Sequence, residues 1–145
     1  MGKTSVTRVT VQWGDCDPAA IVFYPNYFYW FDSATHALFE TLLAPKQELL
    51  QRFGIMGFPL AEASARFMRP SRMGQVIEIE SEIVSCTEKR FTVAHRCTRD
   101  GDLLLEGQEV RFAGRLDPQD SQRLRAIALP PELLRAFGLA GPSGP

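Results

Sequence analysis

Residues 25–43, PNYFYWFDSATHALFETLL, predict a helix that is apolar around most of its circumference. Pro25 suits the first position of a helix, because its missing N–H would be unpaired there in any case. The polar side chains of this segment recur at spacings of three and four, which places them in a single stripe. That stripe consists of Tyr29, Asp32, Ser33, His36 and Glu40. A helix with so little polar surface is expected to be buried against other structure.

The segments on either side of this helix predict strands and two shorter helices. Apolar and polar residues alternate over 5–13, with Val9, Val11 and Trp13 on one face, which is typical of a half-buried strand. A second, shorter helix is predicted from Pro45, with a glycine nine residues later to close it. Further strands are predicted over 59–68, 76–86, 90–99 and 102–113, and a last short helix begins at Pro130.

Short connections between these strands indicate antiparallel pairing. Asp100 and Gly101 form a strong hairpin signal, and Gly107 marks a possible β-bulge. A long apolar helix beside such a sheet gives a two-layer α+β architecture. We therefore predict one domain over residues 1–140, an antiparallel five-stranded sheet wrapped around the long central helix. Residues 141–145, GPSGP, are expected to form a flexible tail.

The composition excludes several classes of protein. The 145 residues include 16 Lys and Arg and 17 Asp and Glu, a net charge of −1. This balance argues against a nucleic-acid partner, because such binding depends on neutralising phosphates. No apolar run approaches the roughly 20 residues that span a bilayer, so no membrane association is expected. Cys16, Cys86 and Cys97 have no paired short spacing, which indicates a reducing cytoplasm rather than a disulfide framework or a metal site.

The chemistry is concentrated in residues 14–32, GDCDPAAIVFYPNYFYWFD. Its first five residues predict a turn that presents Asp15 and Asp17, and a helix N-terminus follows near Tyr24. Unpaired N–H groups at a helix N-terminus favour negative charge, so they could polarise a carbonyl beside a carboxylate that attacks it or activates water. The spacing alone leaves a second interpretation open, in which both aspartates only shape the turn and cap the helix.

The same stretch resembles the 4-hydroxybenzoyl-CoA thioesterase family, whose members have the hot-dog fold. The resemblance lies in the pattern G-D-x-D-P-x-x-I-V-x-Y-P-N-Y-x-x-W-x-D, and it extends to GIMGFPL at 54–60 and RLRAI at 123–127. It therefore implies a hot-dog fold over most of the chain. It also implies an acyl-CoA thioesterase, for which coenzyme A is part of the substrate and no separate cofactor or metal is needed.

The resemblance assigns three catalytic or substrate-binding roles. Asp17 matches the carboxylate that serves as nucleophile or general base on the thioester. The backbone N–H of Tyr24 matches the group that polarises the thioester carbonyl. Asp32 matches a residue that reaches from the partner subunit to the 4-hydroxyl of an aromatic acyl group. The family arrangement implies an acyl site at a dimer interface and a homotetramer built as a dimer of dimers.

Two further groups of residues are candidates for the rest of the substrate. Aromatic side chains that could line an acyl pocket, or simply pack the core, are Phe23, Tyr27 and Trp30. Basic side chains that could hold the coenzyme A phosphates, or simply lie in solvent, are Lys89, Arg90, Arg123 and Arg125. The last two belong to a segment that resembles the family's nucleotide-binding stretch. The chain departs from the family at Thr87 and Glu88, where the family has a basic pair.

Other interpretations are weaker. A hot-dog hydratase would need a histidine shortly after the proline, where this chain has Ala19 and Ala20. His36 could belong to the site or only to its helix stripe, and His95 is predicted to be a hydrogen-bonded core histidine. Glu62 could be a second carboxylate near the site or face solvent. We therefore predict hydrolysis of an aromatic acyl-CoA, with a short or medium aliphatic acyl-CoA or a non-catalytic acyl-CoA-binding module as the alternatives.

Overall fold

The computed structural model describes residues 3–139, in which the long apolar helix packs against one face of an antiparallel sheet. Its strands are hydrogen-bonded in the order β1-β3-β4-β5-β2, and β6 pairs with β5. The elements are β1 Thr4–Thr10, α1 Pro25–Leu42, α2 Lys46–Phe53, β2 Leu60–Phe67, β3 Val76–Cys86, β4 Arg90–Arg99, β5 Asp102–Asp117, β6 Asp120–Ile127 and α3 Pro131–Phe137. The predicted α+β class is confirmed. The tail predicted at 141–145 lies outside the described residues.

Helix α1 supplies side chains to both halves of the core. Near its start Phe31 lies fully buried among isoleucines of β3 and leucines of β5. Near its end Phe39 packs against Phe58, Phe91 and Phe137, with ring centroids 4.7 to 6.2 Å apart. The predicted polar stripe is confirmed in that its residues are exposed or half-buried: Tyr29, Asp32, Ser33, His36 and Glu40.

Gly107 brings α1 close to the sheet. A Cβ atom at this position would lie 2.3 Å from the ring of Phe31, so only glycine leaves room for the helix. Gly107 is not a bulge, because it pairs in regular register with Ala65 on one side and His95 on the other. The register shift of β5 against β4 falls instead beside Leu104.

Two segments differ from the sequence-based expectation. Strand β1 ends at Thr10, and Trp13 lies in a short 3-10 turn with 81% of its surface exposed. Strand β6 was not predicted, because nearly all its residues are exposed and no apolar face marks it. The expected five strands are all present, and β5 runs four residues beyond its predicted end to form a hairpin with β6.

Within residues 3–139 no cysteine forms a disulfide, and Cys86 and Cys97 are buried. None of the helices within residues 3–139 is long and apolar enough to cross a bilayer.

Candidate functional site

Asp17 lies in a tight loop directly before α1. Its backbone N–H donates to the carbonyl of Ile21 at 2.9 Å, and its Oδ1 accepts the N–H of Ala19 at 2.8 Å. The side chain is half-buried, and its Oδ2 accepts no hydrogen bond from any residue between 3 and 139. One oxygen therefore fixes the loop while the other remains free for chemistry.

Asp15, two residues earlier, has the structural role that the spacing left open. Its Oδ2 accepts the backbone N–H of Gln12 at 2.7 Å. Its carbonyl accepts the N–H of Phe23 and the side-chain amide of Asn26, both at 2.8 Å. These bonds join the turn to the start of α1, and they bring the Asp17 loop beside Tyr24.

Tyr24 occupies the cap position of α1, followed by Pro25. Its carbonyl accepts the N–H of Tyr27 at 3.1 Å, whereas its own N–H donates to no backbone acceptor within the described residues. Such a group at a helix N-terminus attracts partial negative charge. The free oxygen of Asp17 and the free N–H of Tyr24 thus belong to two segments that Asp15 ties together.

A cluster around Ser71 supports this loop from the sheet side. The carbonyl of Ser71 accepts the N–H of Val22 at 2.9 Å, and its hydroxyl accepts a bond from Arg99 at 3.1 Å. Arg72 donates to the carbonyl of Ala20 at 3.3 Å. Ala20 has a φ of +64°, which is uncommon for a residue with a side chain. The loop is therefore held in place by bonds from the end of β4 and from the β2–β3 connection.

Asp32 lies two turns further along α1 and meets a cation that the sequence did not predict. Its Oδ1 accepts a bond from Nη2 of Arg111 at 2.7 Å, while 52% of the side chain is exposed. Its Oδ2 lies 3.6 Å from Nδ1 of His36. Burial lowers the pKa of His36, although the neighbouring Asp32 opposes that shift. The ion pair to Arg111 is thus the closer partner of Asp32.

Arg111 belongs to a buried polar network on the inner face of the sheet. Its Nη2 also donates to Glu109 at 2.6 Å, and its Nη1 donates to the carbonyl of Phe58 at 2.7 Å. Glu109 further accepts bonds from Thr35 and, at 2.9 Å, from His95. Burial alone would raise the pKa of Glu109, but hydrogen bonds from His95 and Arg111 outweigh it and lower the pKa to about 2. Glu109 is therefore an anion at any working pH.

His95 closes the inner end of this network. Its Nδ1 lies 2.7 Å from the hydroxyl of Ser81, and its ring stacks on Phe31 with centroids 4.6 Å apart. Nε2 donates to the Glu109 carboxylate, because an ionised carboxylate can only accept. The prediction of a hydrogen-bonded core histidine is confirmed.

A cavity of about 340 Å³ opens beside Asp32. Its wall combines charged groups with apolar side chains and backbone: Asp32, His36, Lys46, Gly57, Phe58, Pro59, Leu60 and Arg111. A cavity with apolar walls and a few convergent polar groups is the usual form of a small-molecule site.

The aromatic candidates divide into two groups. Phe23 is 49% exposed and Tyr24 is 60% exposed, and their rings pack edge to face. Tyr27 and Trp30 are buried in the core around Phe31, also edge to face, and burial raises the pKa of Tyr27. Only Phe23 among the predicted acyl-pocket residues is therefore open to a ligand within one chain.

The basic candidates lie together at one end of the sheet. Lys89 and Arg90 are exposed at the β3–β4 turn, and Arg90 is paired with Phe112 of β5. Three residues along β5, Arg115 stands directly opposite Arg125 of β6. Two like charges in direct cross-strand register repel each other. The side chain of Arg115 turns toward the end of α2, where its Nε donates to the carbonyl of Gly54 at 3.1 Å.

This basic end is far from Asp17. The Asp17 loop contacts Ser71, which Arg99 binds at the last residue of β4, whereas Arg90 is the first residue of the same strand. Ten residues of extended chain separate the two ends by about 30 Å.

The remaining candidates are not part of either cluster. Glu62 is exposed on β2, opposite Val110. No three His, Cys, Asp or Glu side chains among residues 3–139 are arranged to hold a metal ion. The sequence does contain a signal for Glu109 and Arg111. They follow Leu105 and Gly107 in β5 at a spacing of two, so all four residues fall on the same, buried face of the strand.

Comparisons with known proteins agree with this geometry. The family model of the thioesterase-like superfamily matches residues 11–137. The 4-hydroxybenzoyl-CoA thioesterase of Pseudomonas sp. (strain CBS-3) is 32% identical over 140 residues, which cover 92% of this chain and 97% of that protein.

Solved structures give the same result. A D17N mutant of 4-hydroxybenzoyl-CoA thioesterase complexed with 4-hydroxybenzoyl-CoA superposes with a TM-score of 0.84 at 29% identity, covering 92% of this chain and 98% of that one. A gentisyl-coenzyme A thioesterase superposes with a TM-score of 0.78 at 30% identity, covering 93% and 100%. The chain is thus similar over nearly its whole length to hot-dog enzymes that act on hydroxylated aromatic acyl-CoA esters.

Proposed function

This chain belongs to the thioesterase-like superfamily, and we propose that it hydrolyses an aromatic acyl-CoA with a ring hydroxyl to the free acid and coenzyme A. It is a thioesterase of the hot-dog fold, as the predictions stated. The observation that carries the proposal is that the free oxygen of Asp17 and the unpaired N–H of Tyr24 lie on two segments that the hydrogen bonds of Asp15 join.

The proposed reaction uses these two groups on the same carbonyl. The N–H of Tyr24 donates to the thioester oxygen and stabilises the negative charge that develops there. In one route Asp17 attacks the carbonyl carbon, the coenzyme A thiolate leaves, and water hydrolyses the resulting anhydride to the free acid and the Asp17 carboxylate. In the other route Asp17 removes a proton from a water that attacks the carbonyl carbon, and the thiolate leaves as the free acid forms. No cofactor or metal is required for either route.

We propose that the acyl group is read by Asp32 of a second subunit. Asp32 lies on the exposed polar stripe of α1, with 52% of its side chain accessible, so a second subunit can pack against it. The family pattern supports this arrangement, because the residue that matches Asp32 there reaches the acyl hydroxyl from the partner subunit. The likeness to a 4-hydroxybenzoyl-CoA thioesterase and to a gentisyl-coenzyme A thioesterase supports a hydroxylated ring.

A substrate panel tests this acyl specificity. A hydroxyl bonded to a charged acceptor contributes roughly 1.5–3 kcal/mol, so kcat/KM for benzoyl-CoA is expected to be about 10–100-fold below that for 4-hydroxybenzoyl-CoA. Asp32→Ala is expected to remove most of this preference and to spare the plain ester. Thiol release is the measurement. A preference for aliphatic chains would favour the alternative substrate class, and binding without thiol release would favour a non-catalytic module.

The coenzyme phosphates are proposed to bind at the basic end, on Lys89, Arg90, Arg123 and Arg125. The length of β4, about 30 Å between the basic end and the end that holds the Asp17 loop, favours cations supplied by another subunit. Both shared contacts favour an oligomer, and we propose a homotetramer built as a dimer of dimers that acts in the cytoplasm.

Alanine substitutions of the basic residues test this second contact. Each single change at Lys89, Arg90, Arg123 or Arg125 is expected to raise KM about threefold or more and to leave kcat nearly intact. The reason is that the phosphates bind alike in the ground and transition states. The rise should shrink at high ionic strength, because added salt screens the wild-type contact. Arg8→Ala, an exposed arginine on β1, is the matched control. Unchanged KM in all four variants would place coenzyme A elsewhere.

A further inference from the structure

We propose that Arg111 and Glu109 are positioning residues that set acyl selectivity by fixing the carboxylate of Asp32. This inference rests on the proposed function, because it assumes that Asp32 accepts the hydroxyl of the substrate. Neither residue contacts the reacting thioester in this scheme. They act only through the orientation and charge of Asp32.

The first argument is that Asp32 needs to be held. Its side chain is 52% exposed on the polar stripe of α1, where an aspartate is free to change rotamer. Nδ1 of His36 lies 3.6 Å from Oδ2, but it donates to the backbone carbonyl of Asp32 at 2.8 Å and so does not hold the carboxylate. Among residues 3–139, the 2.7 Å bond from Arg111 to Oδ1 is the one that ties the carboxylate to the sheet. That bond leaves Oδ2 as the oxygen available to a ligand.

The second argument is that Arg111 is itself immobile. Its side chain is only 4% exposed, and a single nitrogen, Nη2, donates to both Asp32 and Glu109. Nη1 donates to the carbonyl of Phe58, in the wall of the same cavity. Because Nη2 has two protons, the positions of the two carboxylates around it determine each other. A displacement of Glu109 is therefore transmitted to Asp32.

The third argument concerns charge. Glu109 is a buried anion, and it receives further bonds from Thr35 and His95. It balances the charge of Arg111, so Glu109, Arg111 and Asp32 together carry one net negative charge, and Lys46 lies in the wall of the same cavity. Without Glu109 the guanidinium would neutralise Asp32 and weaken it as an acceptor. A neutral hydroxyl donor is the acyl substituent that this arrangement favours.

The test is the ratio of kcat/KM for 4-hydroxybenzoyl-CoA to that for benzoyl-CoA. Arg111→Met keeps an unbranched apolar stem and removes the guanidinium with its hydrogen bonds, and it is expected to lower this ratio at least about fivefold. The value for benzoyl-CoA should change less than about twofold, because the plain ester does not use Asp32. A general loss of structure would lower both values together and leave the ratio unchanged. Arg8→Met, the same change in an exposed ion pair on β1, is expected to alter neither.

A second variant covers the case in which Arg111→Met does not fold. Arg111→Met leaves the Glu109 anion buried without its cation, whereas Glu109→Gln combined with Arg111→Met removes both charges and leaves no unpaired ion. The double variant is expected to show the same loss of the ratio. In the Asp32→Ala background, Arg111→Met should have no further effect on the ratio, because the residue through which it acts is gone.

The outcomes separate this inference from the proposed function. If Asp32→Ala abolishes the preference while the Arg111 variants retain it, Asp32 reads the hydroxyl without help and the positioning role is wrong. If Asp32→Ala itself leaves the preference intact, the hydroxyl is read elsewhere and the acyl part of the proposed function fails first. A lower ratio in both Asp32→Ala and Arg111→Met, with no further decrease when the two substitutions are combined, supports the positioning role.

Discussion

Replacing Asp17 with asparagine is expected to lower kcat by at least about 100-fold on the best substrate. Asparagine has the same shape, and its side-chain oxygen can still accept the 2.8 Å bond from Ala19 that closes the loop. It lacks the negative charge needed to attack a thioester carbonyl or to take a proton from water. The loss should therefore fall on kcat, while KM and the thermal unfolding midpoint change little. Steady-state thiol release and calorimetry are the measurements.

Asp15→Asn is the matched control, because it makes the same change two residues earlier in the same turn. The Asp15 side chain accepts a bond from the Gln12 N–H and its carbonyl joins the turn to α1, and neither contact lies on the substrate. Its kcat is expected to stay within a few-fold of wild type. Near-normal turnover in Asp17→Asn, or an equal loss in Asp15→Asn, would mean that the carboxylate of Asp17 is not the reacting group.

The fold was largely predictable because its main elements carry strong periodic patterns. Helix α1 is apolar around most of its circumference, and β3 is apolar on alternate residues, because the helix and that face of the strand are buried against each other. The local sequence patterns therefore agree with the global architecture. Strand β6 lacks such a pattern, since it pairs with β5 at the edge and buries almost nothing. The alternating pattern also placed Trp13 in the first strand. A 3-10 turn replaces the strand at this position and leaves the ring in solvent.

Only the part of the candidate site that is formed by residues close in sequence was predictable. Asp17 and Tyr24 lie close in sequence, so the turn and the helix start place them together. The partner of Asp32 is 79 residues away, and only the pairing of β5 beneath α1 brings Arg111 to it. His36 lies only one helical turn from Asp32, but its Nδ1 donates to the Asp32 carbonyl at 2.8 Å and is 3.6 Å from the carboxylate. The guanidinium of Arg111 is 2.7 Å from that carboxylate. Contacts of this kind follow from topology rather than from spacing.

Mixing two inactive variants is expected to restore activity if the site is shared between subunits. In the proposed arrangement each acyl site takes Asp17 from one chain and Asp32 from its partner. Assemblies of Asp17→Asn chains have no competent carboxylate, and assemblies of Asp32→Ala chains lose about 10–100-fold in kcat/KM on 4-hydroxybenzoyl-CoA. A hybrid pair has one site that carries both changes and one site that carries neither. Co-expressed chains with two different tags, purified through both, should therefore recover roughly a quarter to a half of wild-type kcat/KM.

The same hybrid gives the opposite result if each chain uses its own Asp32. Every site would then carry one of the two changes, and activity would stay at or below that of the Asp32→Ala parent. Recovery is expected because the residue that matches Asp32 in the family pattern belongs to the partner subunit of the acyl site. A hybrid of Asp17→Asn with wild-type chains serves as the control for the tags and should reach about half of wild-type activity in either case. Light scattering on the purified hybrid verifies that the assembly, rather than a mixture of parents, was assayed.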